Sequence, residues 1–106
     1  MIHRELYSGK WAQMSLMEQL ANVGSEVSRA SKWKKKQNEN YAQNSFERAL
    51  ELIDLTILHA SRYSAIKELC RTREEMCKHF YESDAEEFEK LNRYFLPFAL
   101  AARKNV

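Results

Sequence analysis

Apolar residues recur along the first third of the chain at the spacing of an α-helix that packs in a bundle. From about Trp11 to Lys36 they follow one another at intervals of four, three, four and three, which is a heptad stripe that requires a partner helix. The stripe consists of Leu16, Leu20, Val23, Val27 and Ala30. Beside it runs a second stripe of mostly small residues that includes Gly24. Because glycine inside a helix costs about 1 kcal/mol relative to alanine, Gly24 predicts a close crossing by another helix.

A similar heptad stripe predicts a second helix from about Tyr41 to Ala60. It consists of Ala42, Phe46, Ala49, Ile53, Thr56 and Ala60. The turn Asn38-Glu39-Asn40 connects this helix to the first, and so short a connection joins helices that run in opposite directions. The first two predicted helices therefore form a long antiparallel hairpin.

The rest of the chain continues the helical pattern. A third helix is predicted over residues 64–81, and Ser83-Asp84-Ala85-Glu86 is a capping box that begins a fourth. Pro97 is expected to end or kink that helix, and the apolar residues 98–102 are expected to pack back on the bundle. Two glycines and one proline in 106 residues are too few for the turns of a sheet protein. We therefore predict an all-α fold, a four-helix bundle built on the long N-terminal antiparallel helical hairpin.

The length of the chain suits one domain. Residues 1–10 are largely polar and include Gly9, so we expect a flexible N-terminal arm there. Residues 11–106 are expected to form a single helical-bundle domain.

Composition and spacing exclude several classes of function. A net charge of +2 is too small to predict nucleic-acid binding by itself, and no apolar run approaches the ~20 residues of a membrane span, so no membrane partner is expected. Two isolated glycines cannot form a phosphate-binding loop, and the histidines and cysteines lack the spacing of zinc ligands, so we expect neither a metal nor a cofactor. Cys70 and Cys77 would stand about 10.5 Å apart along one helix, too far for a disulfide, which favours a cytoplasmic location.

Arg73 and His79 are the residues most suggestive of catalysis. Arg73 falls on the apolar stripe of the third predicted helix, and His79 follows six residues later. An arginine can hold a phosphate, and an imidazole can move a proton during RNA cleavage. The alternative is structural: Arg73 would pair with Asp54, Glu51 or Glu26 across the bundle, and His79 would be a cation near the end of its helix. We favour the structural interpretation, because structural ion pairs outnumber catalytic ones.

Charged residues close to the apolar stripes form a candidate polar network. Its members are Glu26, Glu51, Asp54 and Arg73. Such a network could fix the register of the helices or line a ligand-binding groove. More commonly, charges at these spacings form a solvated surface.

A basic cluster with one aromatic residue ends the first predicted helix. It consists of Arg29, Lys32, Trp33, Lys34, Lys35 and Lys36. Proteins that bind single-stranded nucleic acids interleave basic and stacking residues in this way. The alternative is a solvated helix end in which Trp33 covers the core, and the small net charge favours it.

Two segments, residues 19–30 and 46–57, resemble a family of short, uncharacterised prokaryotic helical proteins. This resemblance extends from Trp11 to Arg103 and implies no particular activity. The segment Arg73-Glu-Glu-Met-Cys-Lys-His79 is also distantly similar to the HEPN superfamily, in which an Arg is followed after four to six residues by a His. That similarity implies a helical, usually dimeric protein, often encoded with a nucleotidyltransferase. It also implies a ribonuclease or toxin that uses Arg73 and His79.

Four apolar residues lie off the main stripes and predict a homodimer. They are Trp11, Leu52, Leu55 and Leu58. The function we expect from the sequence is a non-enzymatic, dimerising protein-interaction module that binds a protein partner. The alternatives are a HEPN-like ribonuclease or toxin, and a nucleic-acid-binding module that uses the basic end of the first helix.

Overall fold

The computed structural model describes residues 9–104. The helices in this range are α1 (Leu16–Lys35), α2 (Glu39–His59), α3 (Tyr63–Glu82), α4 (Ala85–Glu89) and α5 (Leu91–Lys104). A helical turn at residues 9–12 precedes α1, and residues 9–104 contain no strand. The prediction of an all-α fold is confirmed. The predicted flexible arm at residues 1–10 lies, except for its last two residues, outside the described part of the chain.

Helix α1 begins at Leu16, five residues later than its apolar pattern suggested. Ser15 is the N-cap: its hydroxyl accepts from the Glu18 N–H at 3.1 Å, and its own N–H donates to the Glu18 carboxylate at 3.0 Å. This reciprocal pair is a capping box. The hydrogen bonds from Ser15 favour the charged carboxylate and hold the pKa of Glu18 below its ordinary value. The cap separates α1 from the turn at residues 9–12.

The connection between α1 and α2 caps the C-terminus of the first helix and the N-terminus of the second. Gln37 adopts a positive φ of 61°, and the Asn38 N–H donates to the Trp33 carbonyl at 3.0 Å. This is the closure of a Schellman motif. The Asn38 side chain then accepts from the Tyr41 N–H at 3.1 Å and caps α2. One asparagine therefore serves both helices, which allows the connection to be short.

The heptad stripes of α1 and α2 form the centre of the core. Their buried members are Leu20, Val23, Val27, Ala30, Ala42, Phe46, Ala49, Ile53 and Thr56. Leu16, the first residue of the α1 stripe, is an exception and is exposed. Contacts between the two helices join Trp33 to Tyr41, with ring centroids 4.7 Å apart, and Glu26 to Arg48.

An aromatic cluster attaches α3 and α4 to this core. The rings of Phe46 and Phe80 stack with centroids 4.1 Å apart, and Phe88 meets each of them edge to face at 5.8 and 5.1 Å. Offset-stacked and edge-to-face pairs contribute about 0.5–1.5 kcal/mol beyond the burial of their area. The end of α3 and the short α4 are thereby fixed on α2.

The C-terminal third differs from its prediction in two respects. Asp84, not Ser83, is the N-cap of α4, and its carboxylate accepts from the Glu87 N–H at 2.9 Å. The helical path is interrupted at Lys90, between α4 and α5, whereas Pro97 lies inside α5 and does not end it. Phe98 packs against the core, as expected for the apolar residues after Pro97. No helix within residues 9–104 has the length and apolar character needed to cross a membrane.

The close crossing predicted at Gly24 is confirmed. A Cβ atom placed on Gly24 would lie 2.6 Å from the Cβ of Phe95 and 3.1 Å from its Cγ. Phe95 belongs to α5 and is itself buried. Its Cβ is joined directly to the backbone, so it cannot move away without a shift of α5. The small-residue side of α1 therefore receives α5, while the heptad stripe receives α2.

We predict that Gly24→Ala destabilises the protein although alanine is the better helix former. Overpacking costs about 1–3 kcal/mol, and the gain in helix propensity offsets at most about 1 kcal/mol. Urea denaturation followed by circular dichroism measures the difference in unfolding free energy.

Gly9→Ala is the matched control, because a Cβ at Gly9 meets nothing within 4 Å. It should change stability far less than Gly24→Ala. In addition, the effects of Gly24→Ala and Phe95→Gly should be strongly non-additive, because the second change removes both the Cβ and the ring that the first one meets. Additive effects would contradict the contact.

Candidate functional site

Arg73 forms an ion pair that joins α3 to α2. Its Nε donates to Oδ1 of Asp54 at 2.7 Å, and a terminal guanidinium nitrogen lies 3.4 Å from Oδ2. Both side chains are partly exposed. The hydrogen bond from Arg73 to Asp54 raises the pKa of the guanidinium further above its ordinary value. This is one of the pairings considered in the structural interpretation of Arg73.

His79 interacts with a different carboxylate. Its Nε2 lies 3.3 Å from Oε2 of Glu75, one turn earlier on α3. Its Nδ1 is enclosed by protein and has no hydrogen-bond partner among the described residues. Arg73 and His79 are thus directed to separate acidic side chains, and neither lines any of the three grooves described below.

The candidate polar network is divided between two places. Glu26 binds two guanidinium groups, with Arg29 at 2.7 Å and Arg48 at 2.9 Å. The Glu26 side chain is only 13% exposed, so these pairs lie near the edge of the core. Asp54 and Arg73 form the second, separate pair.

Glu26 lines a groove between the N-terminal turn and helices α1 and α2, which we call the N-terminal groove. Its volume is about 420 Å³. It is lined by Lys10, Trp11, Met14, Asn22, Ser25, Glu26, Arg29, Arg48, Glu51, Leu52 and Leu55. The lining includes both charged and apolar side chains. Glu51, also a predicted member of the polar network, therefore shares this groove with Glu26.

The wall of the N-terminal groove is held by hydrogen bonds to Trp11. The Trp11 indole N–H donates to Oγ1 of Thr56 at 3.0 Å. The Gln19 amide donates to the Trp11 carbonyl at 2.8 Å. Trp11 and Leu55 are both buried within a single chain. They cannot contribute to the dimer surface predicted from their off-stripe positions, because the turn at residues 9–12 folds back on α2.

The basic cluster at the end of α1 is divided by the direction of its side chains. Lys34 donates to the carbonyl of Phe80 and lies over the Phe80 ring, 4.3 Å from its centroid. Partial burial there lowers the pKa of Lys34. Lys35 pairs with Glu89. These two lysines therefore attach the end of α1 to α3 and α4.

The other members of the cluster face outward along α1 and form what we call the basic stripe. It is a shallow groove of about 420 Å³. It is lined by Ser25, Ser28, Arg29, Lys32, Trp33 and Lys36. The Nζ of Lys36 lies 5.2 Å from the centroid of the Trp33 ring. Of the six predicted nucleic-acid-binding residues, the structure brings four together here.

Two exposed leucines on α5 form a feature that the sequence prediction missed. Leu96 is 56% exposed and Leu100 is 49% exposed. Beside them, where α1 and α5 cross, is a small groove of about 220 Å³. It is lined by Ala21, Gly24, Ser25, Ser28, Asn92, Phe95, Leu96 and Ala99. We call this groove and the two leucines the α1–α5 face. The sequence did contain a signal for this exposed pair. Leu96 and Leu100 are spaced i, i+4 and therefore share a side of α5 other than the one that presents Phe95 to the core.

The described residues contain no group of three or more His, Cys, Asp or Glu side chains that could hold a metal ion. Comparison with protein-family models, with curated proteins and with solved structures finds no match to this chain.

The interpretation of Arg73 as a structural residue can be tested by a double-mutant cycle. Arg73→Gln and Asp54→Asn should each lower the free energy of unfolding by at most about 1 kcal/mol, because the pair is partly exposed. The coupling between the two changes should be positive and should weaken at high salt. Urea denaturation at low and high salt measures both quantities.

Arg73→Gln, together with His79→Ala, also tests the ribonuclease alternative. A structural Arg73 predicts that any RNA cleavage by the purified protein is equal in wild type, Arg73→Gln and His79→Ala. Cleavage that is lost in both variants while their folds stay intact would establish the pair as catalytic.

Proposed function

We propose that this chain is a non-enzymatic, dimerising protein-interaction module, and that the protein partner on its α1–α5 face is a second copy of the chain. The observation that carries the proposal is the exposure of Leu96 and Leu100 beside the groove between α1 and α5. Fully burying an exposed leucine side chain contributes about 1.5–3 kcal/mol. Because Leu96 and Leu100 are each about half exposed, burying both favours association by about as much as one such leucine.

A second copy is the occupant that best fits this surface. A two-fold interface uses the same surface patch on both subunits, so that patch must be complementary to itself. The α1–α5 face carries a projecting leucine pair and, next to it, a depression formed by small residues such as Ala21 and Ser28. None of the described residues that line the depression is charged. The leucine pair of each copy can therefore pack into the depression of the other copy.

The proposed architecture is a four-helix bundle on an antiparallel hairpin of α1 and α2, with α4 and α5 together as its fourth arm. It is supported by contacts that join the end of α1 to the start of α2, as between Trp33 and Tyr41. The proposed setting is the cytoplasm, since Cys70 and Cys77 are free thiols.

The dimer proposal is tested by the mass of the protein in solution. We expect wild type to be a dimer in light scattering after size exclusion, and the double variant Leu96→Asp, Leu100→Asp to be a monomer with an unchanged helical spectrum. Leu58→Asp is the matched control, because Leu58 is 62% exposed but lies on α2. It should remain a dimer.

A monomeric wild type at every concentration would overturn the proposal. A monomeric Leu58→Asp together with a dimeric Leu96→Asp, Leu100→Asp would move the interface to α2, where the off-stripe leucines of the sequence lie.

The basic stripe favours a second candidate function, binding of a single-stranded nucleic acid. Arg29, Lys32 and Lys36 lie on one side of α1 together with the partly exposed Trp33. Basic grooves with an aromatic residue bind single strands by pairing with phosphates and stacking on bases. The HEPN-like ribonuclease is less well supported, since Arg73 is occupied by Asp54.

Salt dependence tests the nucleic-acid candidate. The affinity for a fluorescent oligonucleotide should fall steeply with added salt, and Lys32→Gln with Lys36→Gln should reduce the slope of log K against log salt by about 1.4, given about 0.7 per phosphate contact on a single strand. The control is Lys67→Gln with Lys78→Gln, which removes the same charge from exposed positions on α3. Equal slopes for the two double variants would exclude the basic stripe as the binding surface.

A further inference from the structure

The N-terminal groove results from the break in the helix at Ser15. If α1 continued back to Trp11, that residue would project from the end of a long rod. Instead, the turn at residues 9–12 folds onto α2 and Trp11 is buried there. The hydrogen bonds to Thr56 and from Gln19 hold it in place. The groove is thus walled by a secured turn on one side and by two helices on the other.

The polar part of this groove carries an excess of positive charge. Among the described residues, three cationic side chains and two anionic ones line it. Glu26 accepts one hydrogen bond from Arg29 and one from Arg48, and Arg48 gives another to the Ser45 hydroxyl. A guanidinium has five N–H donors, so these bonds leave donors on both arginines. The Arg29 side chain is also 55% exposed and can be reached from solvent.

The groove also has an apolar part. Trp11, Met14, Leu52 and Leu55 line it. The Trp11 indole N–H is already engaged by Thr56, so this part offers a ligand mainly hydrophobic contact. Sites for small molecules commonly combine an apolar lining with a few converging polar groups, in volumes of about 300–1,000 Å³. The 420 Å³ of the N-terminal groove falls in that range.

We propose that the N-terminal groove binds a small carboxylic acid with an apolar tail. The carboxylate accepts hydrogen bonds from the guanidinium groups of Arg29 and Arg48, whose planar N–H forks match its geometry. The tail lies against Met14 and Leu52. Glu26 holds the two guanidinium groups in position, and the described residues of the lining keep one positive charge in excess. This binding goes beyond the proposed dimerisation and uses a different surface.

Four probes distinguish the contribution of the carboxylate to binding from that of the apolar tail. Octanoate carries both the tail and the carboxylate, octanol the tail alone, acetate the carboxylate alone, and octylammonium the tail with the opposite charge. Calorimetry should give a saturable one-to-one complex with octanoate. The other three probes should bind at least about tenfold more weakly, because each lacks one of the two contacts. Shifts of the Met14 methyl and Trp11 indole resonances should identify the groove.

Two variants and a control locate the binding. Arg29→Gln should weaken octanoate about tenfold and leave octanol unchanged. Asn22→Phe should fill the groove and weaken both probes, since Asn22 is an exposed residue in its lining. Arg71→Gln, an exposed arginine on α3, should have no effect. Circular dichroism confirms that each variant is folded.

Three outcomes would overturn the proposal. They are the absence of saturable octanoate binding, equal affinity for octanoate and octylammonium, and octanoate binding that is the same in Arg29→Gln and wild type. None of them affects the dimer proposal, because its measurement rests on Leu96 and Leu100, outside this groove.

Discussion

Helix α1 packs against two other helices at once, and this is possible because residue 24 has no side chain. Its heptad stripe faces α2, and its small-residue side faces α5 at the Gly24–Phe95 contact. A side chain at position 24 would lift α5 away. The N-terminal groove, the basic stripe and the α1–α5 face are all lined by residues of α1, and Ser25 contributes to each of them. The candidate sites therefore depend on one helix being held from two sides.

The parts of the fold that were predictable are those that periodicity alone determines. The stripes of α1 and α2 are almost entirely buried, and Gly24 marked its crossing because a helical glycine requires a compensating contact. The start of α1 was mispredicted because Trp11 extends the apolar pattern past Ser15. The capping box between Ser15 and Glu18 was legible in the sequence and decides the boundary. The direction that the chain takes before that cap is a tertiary property, set by Thr56 and Gln19.

The types of the candidate site residues were predictable from the sequence, but the directions in which their side chains point were not. Consecutive helical residues point about 100° apart, so a run of lysines divides between faces. Lys34 and Lys35 meet α3 and α4, whereas Lys32 and Lys36 face outward. Which lysines contact other helices depends on where the fold places Phe80 and Glu89, which lie far along the chain. The pairing of Arg73 was open for the same reason. Acidic residues of both α1 and α2 were possible partners, and only the placement of α3 decides that Arg73 meets Asp54 and not Glu26.

Arg29 lines both the N-terminal groove and the basic stripe, so the two proposed anion sites are linked. An anion that takes up the donors of Arg29 from one side reduces the positive field on the other, and linkage requires the effect to be reciprocal. Glu26 limits this competition, because it already neutralises one charge of the arginine pair. Within residues 9–104, the lining of the groove on the α1–α5 face includes no charged residue that the structure describes. Self-association through that face therefore responds to apolar area, whereas binding at Arg29 responds to charge, and salt acts on the second far more than on the first.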